Sequence, residues 1–270
     1  MEEENSFLSF ILKHGTLMLA IYGVVQLWLI SLWKNFIRIG KVSIFKTGRL
    51  EISYSNYGPT LAVNGTLRAQ RKDVFVKDIS ITVTKERDGS THLLEWTAFR
   101  SPQLRLSQTD PIALELPSGF IVRADQPYRY HIFFSDRKTS SELEPLLLEV
   151  HGAWQKYLSA KQNEIAESLK TKGIGYDITV EHLYNNDFSR NSTEWQKAWD
   201  LLNRKNYWES GSYRMRMIVK TASPNKTFSE EWRFTISEQS FESLRLNAVA
   251  TLREICLRKV DYFFAYPEYN

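Results

Sequence analysis

The chain has 270 residues and a mass of 31.6 kDa, with 43% hydrophobic, 13% aromatic and 24% charged residues. That composition is globular and excludes a disordered chain, a fibre and a disulfide mini-scaffold. A single cysteine, Cys256, excludes an internal disulfide framework and a thiolate metal cluster. The net charge of +4 is local: Lys34, Arg38, Lys41, Lys46 and Arg49 lie within residues 34–49 without one acid, and residues 50–270 are almost neutral.

Residues 1–16 form a short tail carrying Glu2, Glu3 and Glu4 against Lys13. Residues 17–33 then read LMLAIYGVVQLWLISLW, uncharged, with Trp28 and Trp33 towards the end. Seventeen residues span roughly 25 Å of helix, inside the transmembrane range once flanks such as Thr16, Phe36 and Ile37 are added. A buried core helix would show one polar face, and this segment is apolar all round. A cleaved signal peptide would start basic and end in a small-residue cleavage pattern, and neither is present. The expectation is an uncleaved single-pass signal-anchor in the inner or plasma membrane. Residues 34–49 would be its basic juxtamembrane segment, placing the C-terminal region in the cytoplasm. Lys13 and His14 weaken that polarity. Gln26, mid-span, pairs with another helix or is simply tolerated. Asn64, Asn191 and Asn225 each open an Asn-x-Ser/Thr triplet, a pattern that arises often by chance.

From residue 50 to about 138 the chain reads as successive strands. Arg49 to Tyr54 alternates, Asn56-Tyr57-Gly58-Pro59 is turn chemistry, and Asn64-Gly65 reads either as a hairpin turn or as a bulge in a longer strand. Ile79 to Thr84 and His92 to Phe99 flank Arg87-Asp88-Gly89-Ser90, the clearest hairpin, and Ile112 to Leu116 and Tyr128 to Phe134 complete six or seven strands. This spacing without helices predicts an antiparallel β-sandwich. The phrases Leu116 to Phe120 and Tyr128 to Phe134 resemble an arrestin-like or immunoglobulin-like sandwich. The run Gly65 to Arg100 is similar to uncharacterised single-pass bacterial membrane proteins. The resemblance covers about a third of the chain, implies a fold, and carries over no site residue.

Residues 139–270 read as a smaller α+β region. Ser141 and Glu144 fit a capping box with Pro145 in the first turn, and Leu143, Leu147, Val150, Trp154, Tyr157, Ile165 and Leu169 repeat at helical spacing. A long helix over residues 141–170 is expected, stopped by Gly173 and Gly175. A short strand about Ile178 and Val180 comes next, then a helix opened by Thr193 to Gln196. Tyr213, Met215, Met217 and Val219 alternate with Arg214, Arg216 and Lys220, and Phe228, Trp232, Phe234 and Ile236 mark an antiparallel neighbour with Glu231 and Arg233 outward. A last helix spans about Glu238 to Lys259. The fold class expected is thus α+β: one N-terminal transmembrane helix, an antiparallel β-sandwich, and an α+β region with a long helix.

Chemistry is sparse. His14, His92, His131, His151 and His182 are scattered, with only His92 and His131 in reach of each other across a sheet. Lys172-Gly173-Ile174-Gly175 comes after a helix, the wrong side for a phosphate cradle. Cys256 sits on an apolar helix face as a structural thiol. Glu95-Trp96 and Glu230-Glu231-Trp232 read as tryptophan inward and glutamate outward. The basic knots Arg68, Arg71, Lys72 and Arg253, Arg258, Lys259 are too small for nucleic acid. No catalytic, cofactor-binding or metal residue is assigned, and no cofactor or nucleic acid is expected. The partners expected are the lipid bilayer and a protein partner or self-association. The function expected is a membrane-anchored protein-interaction module, an adaptor, sensor or scaffold with a cytoplasmic soluble domain. A membrane-tethered enzyme or an outward-facing envelope binding protein are the alternatives.

Overall fold

The computed structural model describes residues 2–33, 40–100 and 114–269. The N-terminal helix α1 runs Glu2–Leu32. Its apolar part from residue 17 to 32 spans roughly 24 Å at 1.5 Å per residue, short of a hydrocarbon core of about 30 Å. Among the described residues no helix is long and apolar enough to cross a membrane. The transmembrane, single-pass and signal-anchor readings of residues 17–33 are therefore corrected. With them go the membrane localisation and the cytoplasmic placement deduced from it. Of the basic segment, Lys34 and Arg38 lie outside the described residues. Lys46 caps the Tyr269 ring at 4.5 Å and Arg49 pairs with Glu268 at 2.9 Å, so both have structural partners.

The β-sandwich is the second correction. The strands β1 (Lys41–Lys46), β2 (Glu51–Ser55), β3 (Gly58–Gln70), β4 (Val74–Lys85), β5 (Thr91–Arg100), β6 (Leu114–Glu115), β7 (Phe120–Val122), β8 (Tyr128–Ser135), β9 (Gly211–Ser223) and β10 (Asn225–Ile236) form one antiparallel sheet. Its order β1-β3-β8-β5-β4-β9-β10 curls into a nearly closed seven-strand barrel, with β2 added on β3, β6 on β5 and β7 on β4. Two pairings turn the expected sandwich into a barrel. β8 slots between β3 and β5, and the β9–β10 hairpin joins β4 from Lys220 opposite Asp78 to Tyr213 opposite Lys85. β1 and β10 then meet as neighbours. Tyr269 fills their seam, bridged to Phe234 and lying under Lys46.

The barrel core arises from period-2 alternation. Leu61, Val63 and Leu67 of β3, Ile79, Ile81 and Val83 of β4, Ile132 and Phe134 of β8 and Met215, Met217 and Val219 of β9 are fully buried. Arg214, Arg216 and Lys220 point outward, and Arg214 pairs with Glu231 across the strands at 3.8 Å. The β4–β5 hairpin closes at Gly89, φ +72°, where Asp88 accepts from the Ser90 amide at 2.8 Å. Asn64-Gly65 is no turn: both residues lie inside the 13-residue β3. The irregularity is on the opposite side. Lys46 faces Gly65 while Glu51 faces Ala62, so residues 47–50 bulge out, helped by Gly48 at φ +71°. Of the expected strand over Ile112–Leu116, Ile112 and Ala113 lie outside the described residues.

The helices after α1 lie in the chain between β8 and β9 and after β10. The expected single helix over 141–170 is two: α2 (Arg137–Ala160) and α3 (Gln162–Lys172), interrupted at Lys161. The cap is Asp136, whose carboxylate accepts from the Thr139 amide and hydroxyl at 3.0 Å, so α2 starts before Ser141 and Pro145 falls inside it. Gly173 ends α3 in the left-handed conformation, φ +62°. Ile178 and Val180 lie in a helix, α4 (Tyr176–Leu183), rather than a strand. After a π-helical turn over Tyr184–Phe188 come α5 (Ser189–Asn191) and α6 (Thr193–Lys205), capped by Ser192. The last helix is again a pair, α7 (Glu238–Arg245) and α8 (Asn247–Leu257). α2 packs on α6 and α8, α8 covers β2, and α2 and α6 reach β3.

Candidate functional site

Three features stand apart from the packed core. The first is the surface of α1. Its apolar side chains from Leu17 to Ile30 are exposed, with Leu19, Leu27 and Trp28 at 71%, 70% and 64%, and so is Trp33 just after it. Leu19, Gly23, Gln26, Ile30 and Trp33 recur at steps of four and three residues, a heptad stripe along one face. Gln26 puts the stripe's one amide at its centre.

The second is a cleft of about 660 Å³ between α2, the end of α8 and the β2–β3 turn. Ser140, Glu144, Leu147, Leu148 and His151 line it from one stripe of α2, and Glu254, Ile255, Arg258 and Val260 face them. The floor at Leu147 is buried and the rims at Leu148, Val260 and Tyr57 are exposed. Two of its titratable groups, His151 and Glu254, serve the fold. His151 Nδ1 lies 3.1 Å from the Ile255 carbonyl, in the last turn of α8, and Glu254 accepts from the Tyr262 hydroxyl.

The third is a polar cluster where the β4–β5 hairpin meets the segment before β9. The Lys85 side chain, 8% exposed, pairs with Glu209 and lies 3.6 Å from Asp88. The Tyr213 hydroxyl accepts from the Glu209 amide at 2.8 Å and donates to the Glu209 carbonyl at 2.9 Å. His92 stacks on Tyr207 with ring centroids 3.7 Å apart. Burial pushes the Tyr207 phenol far up and the Tyr213 phenol up to about 12, so both stay neutral. The Ser90 hydrogen bonds hold the Asp88 carboxyl below its usual range. Burial also lowers His92, against the pull of Asp136 and Asp88 and with help from Lys85.

That shift has a pH signature. An unfolded histidine titrates near pH 6.5, and in the folded chain His92 takes its proton at lower pH. The unfolded state therefore binds more protons, and the contribution, complete above about pH 6.5, is lost as pH falls through the folded value. The urea midpoint is expected to drop more between pH 7.5 and 5.5 in the native chain than in His92→Gln. Equal drops would refute the assignment.

The sequence-level candidates are dispersed. His92 and His131 do not meet: β5 and β8 are neighbours, but Phe99 faces Ile132, so His131 lies at the far end of β5 from His92. His131 stacks on Phe133 at 5.3 Å, and His182, on α4, meets the Asn186 amide at 3.0 Å. Trp96 and Trp232 point inward, with Glu95 paired to Arg137 at 3.1 Å and Glu231 to Arg214. Arg253 and Lys259 of the second basic knot both bind Glu181. Cys256 is buried and its thiol pushed up to about 12 by desolvation, leaving it unreactive at neutral pH. Among the described residues no group of three histidine, cysteine, aspartate or glutamate side chains is placed to hold a metal.

Sequence reading missed the partners of these groups. Glu144, Leu147, Leu148 and His151 show helical spacing, but their meeting with α8 is tertiary. Nothing in the local sequence places His92 on Tyr207. In comparisons with known proteins the chain matches no family model, no curated protein and no solved structure.

Proposed function

We propose that this chain is a protein-interaction module, an adaptor, sensor or scaffold that works by binding rather than by catalysis. The observation that carries the reading is the exposed apolar surface of α1 on a chain whose barrel has a buried core of its own. Each square ångström of such surface costs about 25 cal/mol in water, and apolar patches of more than a few hundred square ångströms mark interaction sites. The hairpin cluster favours the same reading, because Lys85, Glu209 and Asp88 are held in mutual ion pairs.

The partner that suits α1 is a second α1. A glutamine on a heptad seam is satisfied by the same residue across a two-fold axis, which sets register at some cost in stability. Sedimentation velocity of the full chain at micromolar concentration is expected to show oligomers. Leu19→Glu with Ile30→Glu is expected to weaken association on the order of a hundredfold or more, since each buried leucine-sized side chain contributes about 1.5–3 kcal/mol. The urea midpoint of the barrel should not move. A strictly monomeric native chain overturns this reading, as does flotation with phosphatidylcholine vesicles in place of self-association.

A further inference from the structure

The outer edge of β2 is occupied by the chain's own C-terminal segment. The Ile52 amide donates to the Ala265 carbonyl and the Ala265 amide to the Ile52 carbonyl, both at 2.9 Å, and the Leu50 amide donates to the Pro267 carbonyl at 3.2 Å. Residues 265–267 thus lie antiparallel on β2, and the Arg49–Glu268 ion pair extends the same register. A buried polar clamp fixes the segment one step earlier. Asn247, fully buried, accepts from the Phe263 amide at 2.7 Å and donates to the Phe263 carbonyl at 2.8 Å. The Ser53 hydroxyl donates to that carbonyl at 3.0 Å and accepts from the Asn247 amide at 3.2 Å.

This is strand addition to an open sheet edge, with main-chain groups supplying the recognition. The side chains contribute less. Ala265 is buried, while Phe263, Phe264 and Tyr266 remain 42%, 45% and 52% exposed. The segment is joined to α8 through Arg258, whose φ of +57° is left-handed. A residue with a Cβ is strained there, and that conformation turns the chain back towards β2.

We infer that the β2 edge is a strand-exchange site and that its partner is the same segment, residues 263–269, of a second copy of this chain. Exchange preserves the main-chain pairing, the Asn247 clamp and the Tyr269 seam, because each copy supplies both halves. What changes is the linker: opened, Arg258 leaves the left-handed region, so its strain favours the exchanged form. Concentration adds to that bias. The inference stands on β2 and the tail and does not depend on the α1 reading.

The test uses Arg49 and Glu268, which lie opposite one another and are exposed at 63% and 72%. They fall between the hydrogen-bonded pairs of the ladder, where facing residues come closest and suit a disulfide. Arg49→Cys and Glu268→Cys are made in separate full-length chains, each carrying Leu19→Glu and Ile30→Glu so that α1 cannot bring copies together. The two are mixed in denaturant, refolded together at high concentration and oxidised. Cys256 is buried and takes no part. The expected result is a reducible 49–268 heterodimer that grows with protein concentration and falls several-fold when both chains carry Arg258→Gly, since glycine adopts the left-handed conformation without strain. Absence of the heterodimer at every concentration overturns the exchange. So does a heterodimer no more abundant than the 49–49 and 268–268 dimers together, the share that random surface collision between equal amounts of the two chains would give.

Discussion

Trp208→Ala is expected to cost about 3–5 kcal/mol of folding stability, the range for deleting a buried large aromatic. Trp208 is fully buried between α6 and β9, and its indole Nε1 donates to the Ser53 carbonyl at 3.0 Å. Its ring meets Tyr213 edge-on at 5.8 Å and leans on Tyr207 at 4.9 Å. Alanine empties that volume and removes the indole's hydrogen bond to the Ser53 carbonyl, an added loss of about 0.5–1.5 kcal/mol. A domain with about 5–15 kcal/mol in total cannot absorb much more. Trp208→Phe retains most of the ring contacts and is expected to cost about half as much. Urea unfolding checks both. A loss below about 1 kcal/mol for alanine would mean that the helices do not depend on this joint.

The position explains the size of the effect. Trp208 ties the helical layer to β2, and the Tyr54 hydroxyl does the same from the other direction by donating to the Leu202 carbonyl at 2.7 Å. On the outer face of β2, Ser53 and Asn247 hold the C-terminal segment. One five-residue strand therefore carries the helical cap, the tail and a share of the barrel wall. Loosening it from the Trp208 side is expected to free the tail as well, which links core stability to strand exchange.

Much of this is readable from local pattern and some is not. Alternation in Tyr213–Lys220 and Phe228–Ile236 identifies the inward and outward faces of β9 and β10, because those faces depend on period alone. Arg87-Asp88-Gly89-Ser90 is readable because turn chemistry is local. Barrel against sandwich is not, since it turns on β8 entering between β3 and β5 and on β9 finding β4 across more than a hundred residues of chain. Ile178 and Val180, two apart, fit a strand, and only packing against its neighbours makes α4 a helix. The apolar run 17–33 identifies α1 but overstates its reach, as the described apolar turns fall short of a bilayer. Of the candidate sites, the α1 surface is visible in the sequence. The tail on β2 is not: Asn247 and Ser53 are ordinary polar residues until the fold brings them to Phe263.

Gly65→Ala is the second large effect, and it tests the barrel itself. Asn64-Gly65 reads as a turn or as a bulge in a longer strand, and the glycine sits mid-strand with Tyr130 lying across it. A Cβ at this position would stand 2.2 Å from the Phe45 carbonyl oxygen, 2.3 Å from the Tyr130 hydroxyl and 2.4 Å from its Cζ. No rotamer change relieves the first of these, because it is backbone of the paired strand β1. Overpacking usually costs about 1–3 kcal/mol, and a collision with both main chain and a buried ring places Gly65→Ala at the top of that range, about 3 kcal/mol. Tyr130→Ala alone leaves a cavity and should cost about as much as other buried aromatics, roughly 3–5 kcal/mol. In the Gly65→Ala background the same truncation removes part of the clash, so the two losses should fall short of additivity by at least about 1 kcal/mol. Strict additivity in a double-mutant cycle would show that the Tyr130 ring does not lie over β3, and the closed barrel at the β1–β3–β8 junction would have to be redrawn.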